Sequence, residues 1–285
     1  MYYNSLALGN AMSRSRPDHI LDPNGDVIIE LRIEPGNGAT KPHEESFQVC
    51  SRHLILASGY FRMKFAGPWK RAYQSRGSQC LRVPQDCNNL GMFLVLMNIF
   101  HGHSRGVPRK VSLGELVSFA ALVETYECLD IVGFFADIWI RALKGRLPRT
   151  FSDTAKMWTY VAYIFQEPIV FQSMTKIAVK HGKRITSSDL LLPPDVCLEI
   201  EKQRVALNCQ LLIFLKRTVL RLQVETSSNN SGSAGLTLGI LSARLADLRL
   251  LNRRPTRPFY HERITTYLEA LEHGVKGLRL CDART

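Results

Sequence analysis

Apolar and polar positions change period along this chain, and the changes mark its elements. Val27 to Ile33 is a β-rich run, bounded by the turn signals Asn24-Gly25 and Pro35-Gly36-Asn37-Gly38. A second strand is predicted over Ser46 to Val49, so that residues 35 to 45 form the loop of a hairpin. At Ser51, a candidate N-cap, the period becomes helical, with Leu54, Ala57 and Ser58 on one face and Tyr60-Phe61 following. "CLRVP" at 80 to 84 reads as a third short strand stopped by Pro84.

Helices dominate from there. Leu90, Phe93, Leu94, Met97 and Phe100 recur at the spacing of an amphipathic helix over Asn89 to His101, and Gly102 ends it. Ser112-x-x-Glu115 is a capping box for a helix that buries Leu113, Leu116, Val117, Ala120 and Val123. "LDIVGFFADIWIRAL" follows, with Ile131, Phe134, Phe135, Ile138, Trp139 and Ala142 on its apolar side. Ser152 to Gln166 is predicted to bury Met157, Trp158, Val161, Ile164 and Phe165. Pro168 opens the next helix at its first position and Gly182 closes it. A longer helix over Asp195 to Gln223 repeats Cys197, Ile200, Arg204, Leu207, Leu211, Phe214 and Thr218, too interrupted for a coiled coil and better suited to packing in its own domain. "SSNNSGSAG", 227 to 235, has linker composition, and helices over Leu236 to Leu251 and His261 to Leu280 complete the pattern.

Composition supports a globular reading: 45% of the 285 residues are hydrophobic and 22% charged. No apolar run reaches the ~18 residues of a membrane span, and the N-terminus lacks the continuous apolar stretch of a secretory signal. An intracellular protein of cytoplasm or nucleus is expected, with no membrane association. The formal net charge of +12 raises the possibility of nucleic-acid binding, and from Arg204 onward 13 Lys and Arg face 6 Asp and Glu. Most of these charges are dispersed singly along helices, and "NRRPTRP" at 252 to 258 is the one local cluster, which favours a solvated basic surface.

Candidate chemistry is fragmentary. Cys50-x-x-His53 could supply a thiol nucleophile or half of a metal site. The seven cysteines are scattered, no Cys-x-x-Cys occurs, and the paired spacing of structural zinc is absent. Most read as reduced core residues, and Cys50 as a packing residue. Ser233 lacks the first glycine of a nucleophile elbow, and "HERIT" at 261 to 265 has Thr265 where a zincin has its second histidine. No phosphate-cradling glycine motif is present. His101 and His103 read as surface-loop histidines, and Glu44-Glu45 as solvated loop carboxylates. No nucleophile, base and oxyanion donor can be argued together, so a non-enzyme with no cofactor, no metal and no small-molecule substrate is expected.

Five blocks in order carry a family resemblance: "GDVIIEL", "FQVCSRHLILASGYFRMKF", "CLRVP", "MFLVLMNIFHGHSRGVP" and "LGELVSFAALVETYECLDIV". Together they resemble the BTB/POZ domain in the form common among filamentous-fungal proteins. Asp26, Phe47, Leu54, Ser58, Phe61, Phe93 and Gly102 stand where that family's signature residues stand. Many members carry histidine at the place of Cys50, so the cysteine is a departure. "DTAKMWTYVAYIFQEPIVFQSMTKIAV" and "LTLGILSARLADLRLLNRRPTRPF" resemble, more loosely, the helical extension and tail of the fungal group, with the Ser/Asn/Gly stretch replacing a cysteine-bearing segment.

The resemblance implies an α+β fold followed by an all-α extension. With the composition of the ends and of the Ser/Asn/Gly stretch, it divides the chain into a flexible arm (1–22), a BTB/POZ domain (23–143), a helical extension (144–226), a flexible linker (227–235) and a helical tail (236–285), the arm and linker being read from composition. It further implies an interaction protein that dimerises or acts as an adaptor, with another copy, a cullin-3 ubiquitin-ligase scaffold or a transcriptional corepressor as partner. The alternative is a nucleic-acid-associated transcriptional regulator using the basic C-terminal region.

Overall fold

A computed structural model describes residues 16–33, 43–66, 79–83, 89–181, 185, 190–228 and 232–247. The chain divides into two compact units, Met1–Trp139 and Ile140–Thr285. The first has a small mixed sheet followed by helices, and the described elements of the second are helical, so the chain is of α+β class.

Four strands form the sheet: β1 (His19–Ile20), β2 (Val27–Ile33), β3 (His43–Val49) and β4 (Gln79–Val83), in the order β1-β3-β2-β4. β2 and β3 are antiparallel, whereas β1 pairs parallel with β3 and β4 parallel with β2. Register places Val27 opposite Val49 and Ile29 opposite Phe47. All four are buried, as is Leu31, because alternate side chains of a strand share one face. β3 begins at His43, so Glu44 and Glu45 belong to a strand; Glu45 lies 3.2 Å from His19. Part of the expected N-terminal arm is also ordered: Leu21 N–H donates to the Gln48 carbonyl, and the Asp18 carboxylate accepts from the Ser46 N–H and hydroxyl.

Two short helices, α1 (Ser51–Ala57) and α2 (Gly59–Ala66), follow β3. α3 (Leu90–Phe100) buries Met92, Phe93, Val95, Leu96, Met97, Ile99 and Phe100. The amphipathic reading was therefore too modest: a helix apolar around most of its circumference lies within a core. α4 (Leu113–Tyr126) has the expected capping box, Ser112 Oγ accepting from Glu115 N–H while Glu115 accepts from Ser112 N–H. Its inner face holds Leu116, Phe119, Ala120, Leu122, Val123 and Tyr126; Leu113 and Val117 are half-buried.

α5 (Leu129–Leu143) departs from expectation, and the unit boundary falls within it rather than at its end. Val132, Ala136, Trp139 and Ile140 are buried, but Ile131, Phe134 and Ile138 are exposed, Phe134 by 72%. Hydrophobic side chains occupy more than one face of this helix, so their period alone could not single out the buried one. Trp139 resolves the ambiguity locally, donating its indole N–H to the Pro108 carbonyl at 2.8 Å and meeting Phe119 edge-on.

In the second unit, α6 (Asp153–Ile164) packs with α7 (Pro168–His181), and α8 (Pro194–Ser228) with α9 (Gly232–Asp247). α6 starts at Ser152, whose hydroxyl accepts from Ala155 N–H, and ends where Gln166 takes a left-handed conformation. Met157, expected inside, is exposed. On α8 the buried stripe is Cys197, Ile200, Arg204, Asn208, Leu212, Leu215 and Val219. The expected heptads hold through Arg204 and then slip by one residue, leaving Leu207 and Phe214 exposed, because a straight helix of 3.6 residues per turn drifts from a 3.5 repeat. The buried Arg204 guanidinium makes two hydrogen bonds to the Glu201 carboxylate, at 2.7 and 2.9 Å. α8 reaches Ser228 and α9 begins at Gly232, so most of the Ser/Asn/Gly stretch lies in helix ends rather than in a linker. Among the described residues, no helix is long and apolar enough to cross a membrane. Gly182, the basic cluster at 252 to 258 and the helix expected over His261 to Leu280 lie outside them.

Two phenylalanines separate core from surface by experiment. Phe93→Ala should cost about 3–5 kcal/mol in denaturant unfolding, as expected for a fully buried ring, while Phe134→Ala should stay within about 0.5 kcal/mol of the parent.

Candidate functional site

Cys50 lies where β3 gives way to α1, and the local sequence does not cap that helix. Cys50 occupies the N-cap position with no side-chain cap bond, and Ser51, the expected cap, is the first helical residue. The acceptors come from elsewhere. Asp26, just before β2, accepts the Ser51 N–H on one carboxylate oxygen and the Ser51 hydroxyl on the other, both at 2.7 Å. His101, immediately after α3, accepts the Cys50 N–H on Nε2 at 3.0 Å. Its Nδ1 lies 2.8 Å from the Met97 carbonyl, an acceptor only, so Nδ1 carries the proton.

The seven resemblance residues divide into core and junctions. Phe47, Leu54, Ser58, Phe61 and Phe93 are completely buried. Phe47 meets Phe93 edge-on at 5.1 Å, Phe93 lies 6.0 Å from Tyr126, and Tyr126 stacks on Phe61 at 5.2 Å. Ser58 separates α1 from α2 in extended conformation. Its hydroxyl donates to the Tyr126 carbonyl at 2.5 Å and accepts the Phe61 N–H. Gly102 follows α3 with φ +72°, in the left-handed region that favours glycine, and His103 N–H returns to the Asn98 carbonyl. Only Asp26 and Gly102 of the seven are exposed. Tyr126 escaped the sequence reading, although "ETYEC" places an aromatic at the buried end of its helix.

His101 corrects the reading of both loop histidines as surface residues. It is buried, whereas His103 is exposed. Burial holds the His101 pKa below the usual histidine value, and the charges of His53 and His103 act the same way; the Met97 hydrogen bond and the Asp22 carboxylate oppose them. The His53 and His101 rings meet edge-on at 5.1 Å. Beside them, ligand atoms of Asp22, Cys50 and His53 all lie within 4.8 Å of one another. Asp22 was not a candidate from sequence. It arrives because β1 pairs with β3, which also puts the Asp22 N–H on the Gln48 carbonyl. Burial pushes the Cys128 thiol up to about 12, making it a packing residue without nucleophilic character. Cys197 is likewise buried, while Cys50 and Cys209 are half-buried.

No protein-family model matches the chain, and no curated protein matches it.

Two outcomes follow from the caps. Asp26→Ala should lose about 1–3 kcal/mol of stability in urea unfolding, and Asp26→Asn, which keeps an acceptor, should lose less. His101, with its lowered pKa, leaves the native chain binding fewer protons than the unfolded chain in acid. Its contribution is whole above about pH 6.5 and is lost as pH falls from there through the lowered native pKa. Thermal melts in chelator between pH 8 and 4.5 should show that decline, and His101→Gln should flatten it.

Proposed function

We propose that the chain is a protein–protein interaction protein built on a BTB/POZ-like first unit with a helical extension. It acts by bringing protein chains together, as a dimer or as an adaptor, and performs no reaction of its own. The five-block resemblance supports this reading. So do the positions of its seven residues, which form the aromatic core and the capped junctions around α1 and α2.

One observation carries it: the outward apolar ridge of α5. Ile131, Phe134 and Ile138, spaced three and four residues apart, lie along one helix face at 41, 72 and 42% exposure. A single exposed apolar side chain needs no explanation, but three large ones in a row along a rigid helix are the pattern of a surface that docks into a partner's groove. Aromatic residues are enriched in such interfaces because one ring removes a large area from water. The resemblance implies three occupants, a second copy of the chain, a cullin-3 scaffold or a transcriptional corepressor, and the first two are the ones tested.

Light scattering on full-length protein and binding to purified cullin-3 test the reading together. The expected result is either twice the chain mass or retention of cullin-3, and loss of that association in Phe134→Glu/Ile138→Glu with the thermal melt unchanged. A monomer at tens of micromolar that ignores cullin-3 would sink the proposal. Association that survives the double substitution would remove α5 from it.

A further inference from the structure

We propose that Asp22, Cys50 and His53 form a binding site for a divalent metal of the zinc class, a clip across the strand-to-helix junction. The three residues come from separate places: the turn after β1, the end of β3 and the first turn of α1. Their candidate ligand atoms, a carboxylate oxygen, a thiol sulfur and an imidazole nitrogen, lie within 4.8 Å of one another.

Zinc–ligand bonds of ~2.0–2.3 Å arranged tetrahedrally separate the ligand atoms by roughly 3.3–3.8 Å. Closing the cluster therefore needs side-chain movement of about 1 Å, and the surroundings permit it. Asp22 and Cys50 are half-buried and His53 is exposed, so none is locked in the core.

The backbone beneath the cluster is already held. Cys50 N–H is fixed by His101 Nε2, and Asp22 N–H by the Gln48 carbonyl. Asn24 N–H donates to Asp22 Oδ1 at 2.8 Å, which orients the carboxylate as hydrogen-bonded partners orient metal ligands elsewhere.

Donor chemistry selects the metal class. Thiolate with imidazole and one carboxylate suits zinc and its borderline-soft neighbours, whereas calcium and magnesium require oxygen cages. On binding, the Cys50 thiol loses its proton to solvent. Two anionic ligands and a neutral imidazole then balance the dication, and the fourth position is open to water. The metal would stabilise the native chain, which brings Asp22, distant in the sequence, to the neighbouring Cys50 and His53.

Cobalt(II) is the probe, added to reduced, chelator-stripped full-length protein. The expected result is one cobalt per chain, with a sulfur-to-cobalt charge-transfer band in the near ultraviolet that added zinc abolishes. The melting temperature should rise with zinc. Cys50→Ser should lose the band, and Asp22→Asn and His53→Gln should each weaken binding at least tenfold. Cys209→Ser, at a half-buried thiol on α8, should leave band and affinity intact. His53 is exposed, so His53→Gln reports on binding even if Cys50→Ser fails to fold. A band that persists in Cys50→Ser, cobalt affinity unchanged in His53→Gln, or no stoichiometric binding by the parent protein would each overturn the proposal.

Discussion

The entry to α1 depends on acceptors that its own sequence does not supply. Cys50 cannot cap a helix, and the first backbone donors at the junction would be left without partners. The Asp26 carboxylate and the His101 ring meet them instead, one from the start of β2 and the other from the end of α3. The two contacts join sheet, α1 and α3 at one point. Leu54 and Phe61, inside the core, follow from the direction in which that turn sends the chain.

Ser58 performs the matching task seven residues later. Its extended backbone ends α1, and its hydroxyl ties the break to the last carbonyl of α4 while accepting a donor from α2. Gly59 N–H reaches the Glu127 carbonyl beside it, and a Cβ on Gly59 would come within 2.5 Å of the Glu127 carboxylate. A buried hydroxyl serving two backbone partners offsets its own desolvation, and it leaves this helix pair with one arrangement rather than several. The aromatic rings of Phe47, Phe93, Tyr126 and Phe61 fill the space between these polar junctions.

Around Cys50 the unusual residue is in a position to take two roles at once. Its backbone donor is spent on the fold, while its thiol is left near Asp22 and His53. The proposed metal clip and the proposed docking ridge on α5 make separate demands on the first unit. The ridge needs a rigid helix whose inner face is anchored, as Trp139 anchors it on Pro108. The clip needs side chains free to move by about 1 Å over a fixed backbone.

Much was legible in local pattern, for a simple reason: periods of two and 3.6 residues, capping boxes and helix-ending glycines act between near neighbours. β2, β4, the extents of α3 and α4, the Ser112 cap and the turn at Gly102 were accordingly readable. Where apolar residues covered several faces of α5, or a heptad drifted along α8, the period named the helix but not its buried side. The rest was decided by partners distant in sequence. Asp26 replaces Ser51 as the cap across 25 positions, His101 is drawn inside by a donor 51 positions away, and Asp22 reaches Cys50 only because β1 pairs with β3. No local rule encodes such pairings, since an unpaired backbone donor accepts whichever acceptor the packed chain brings to it.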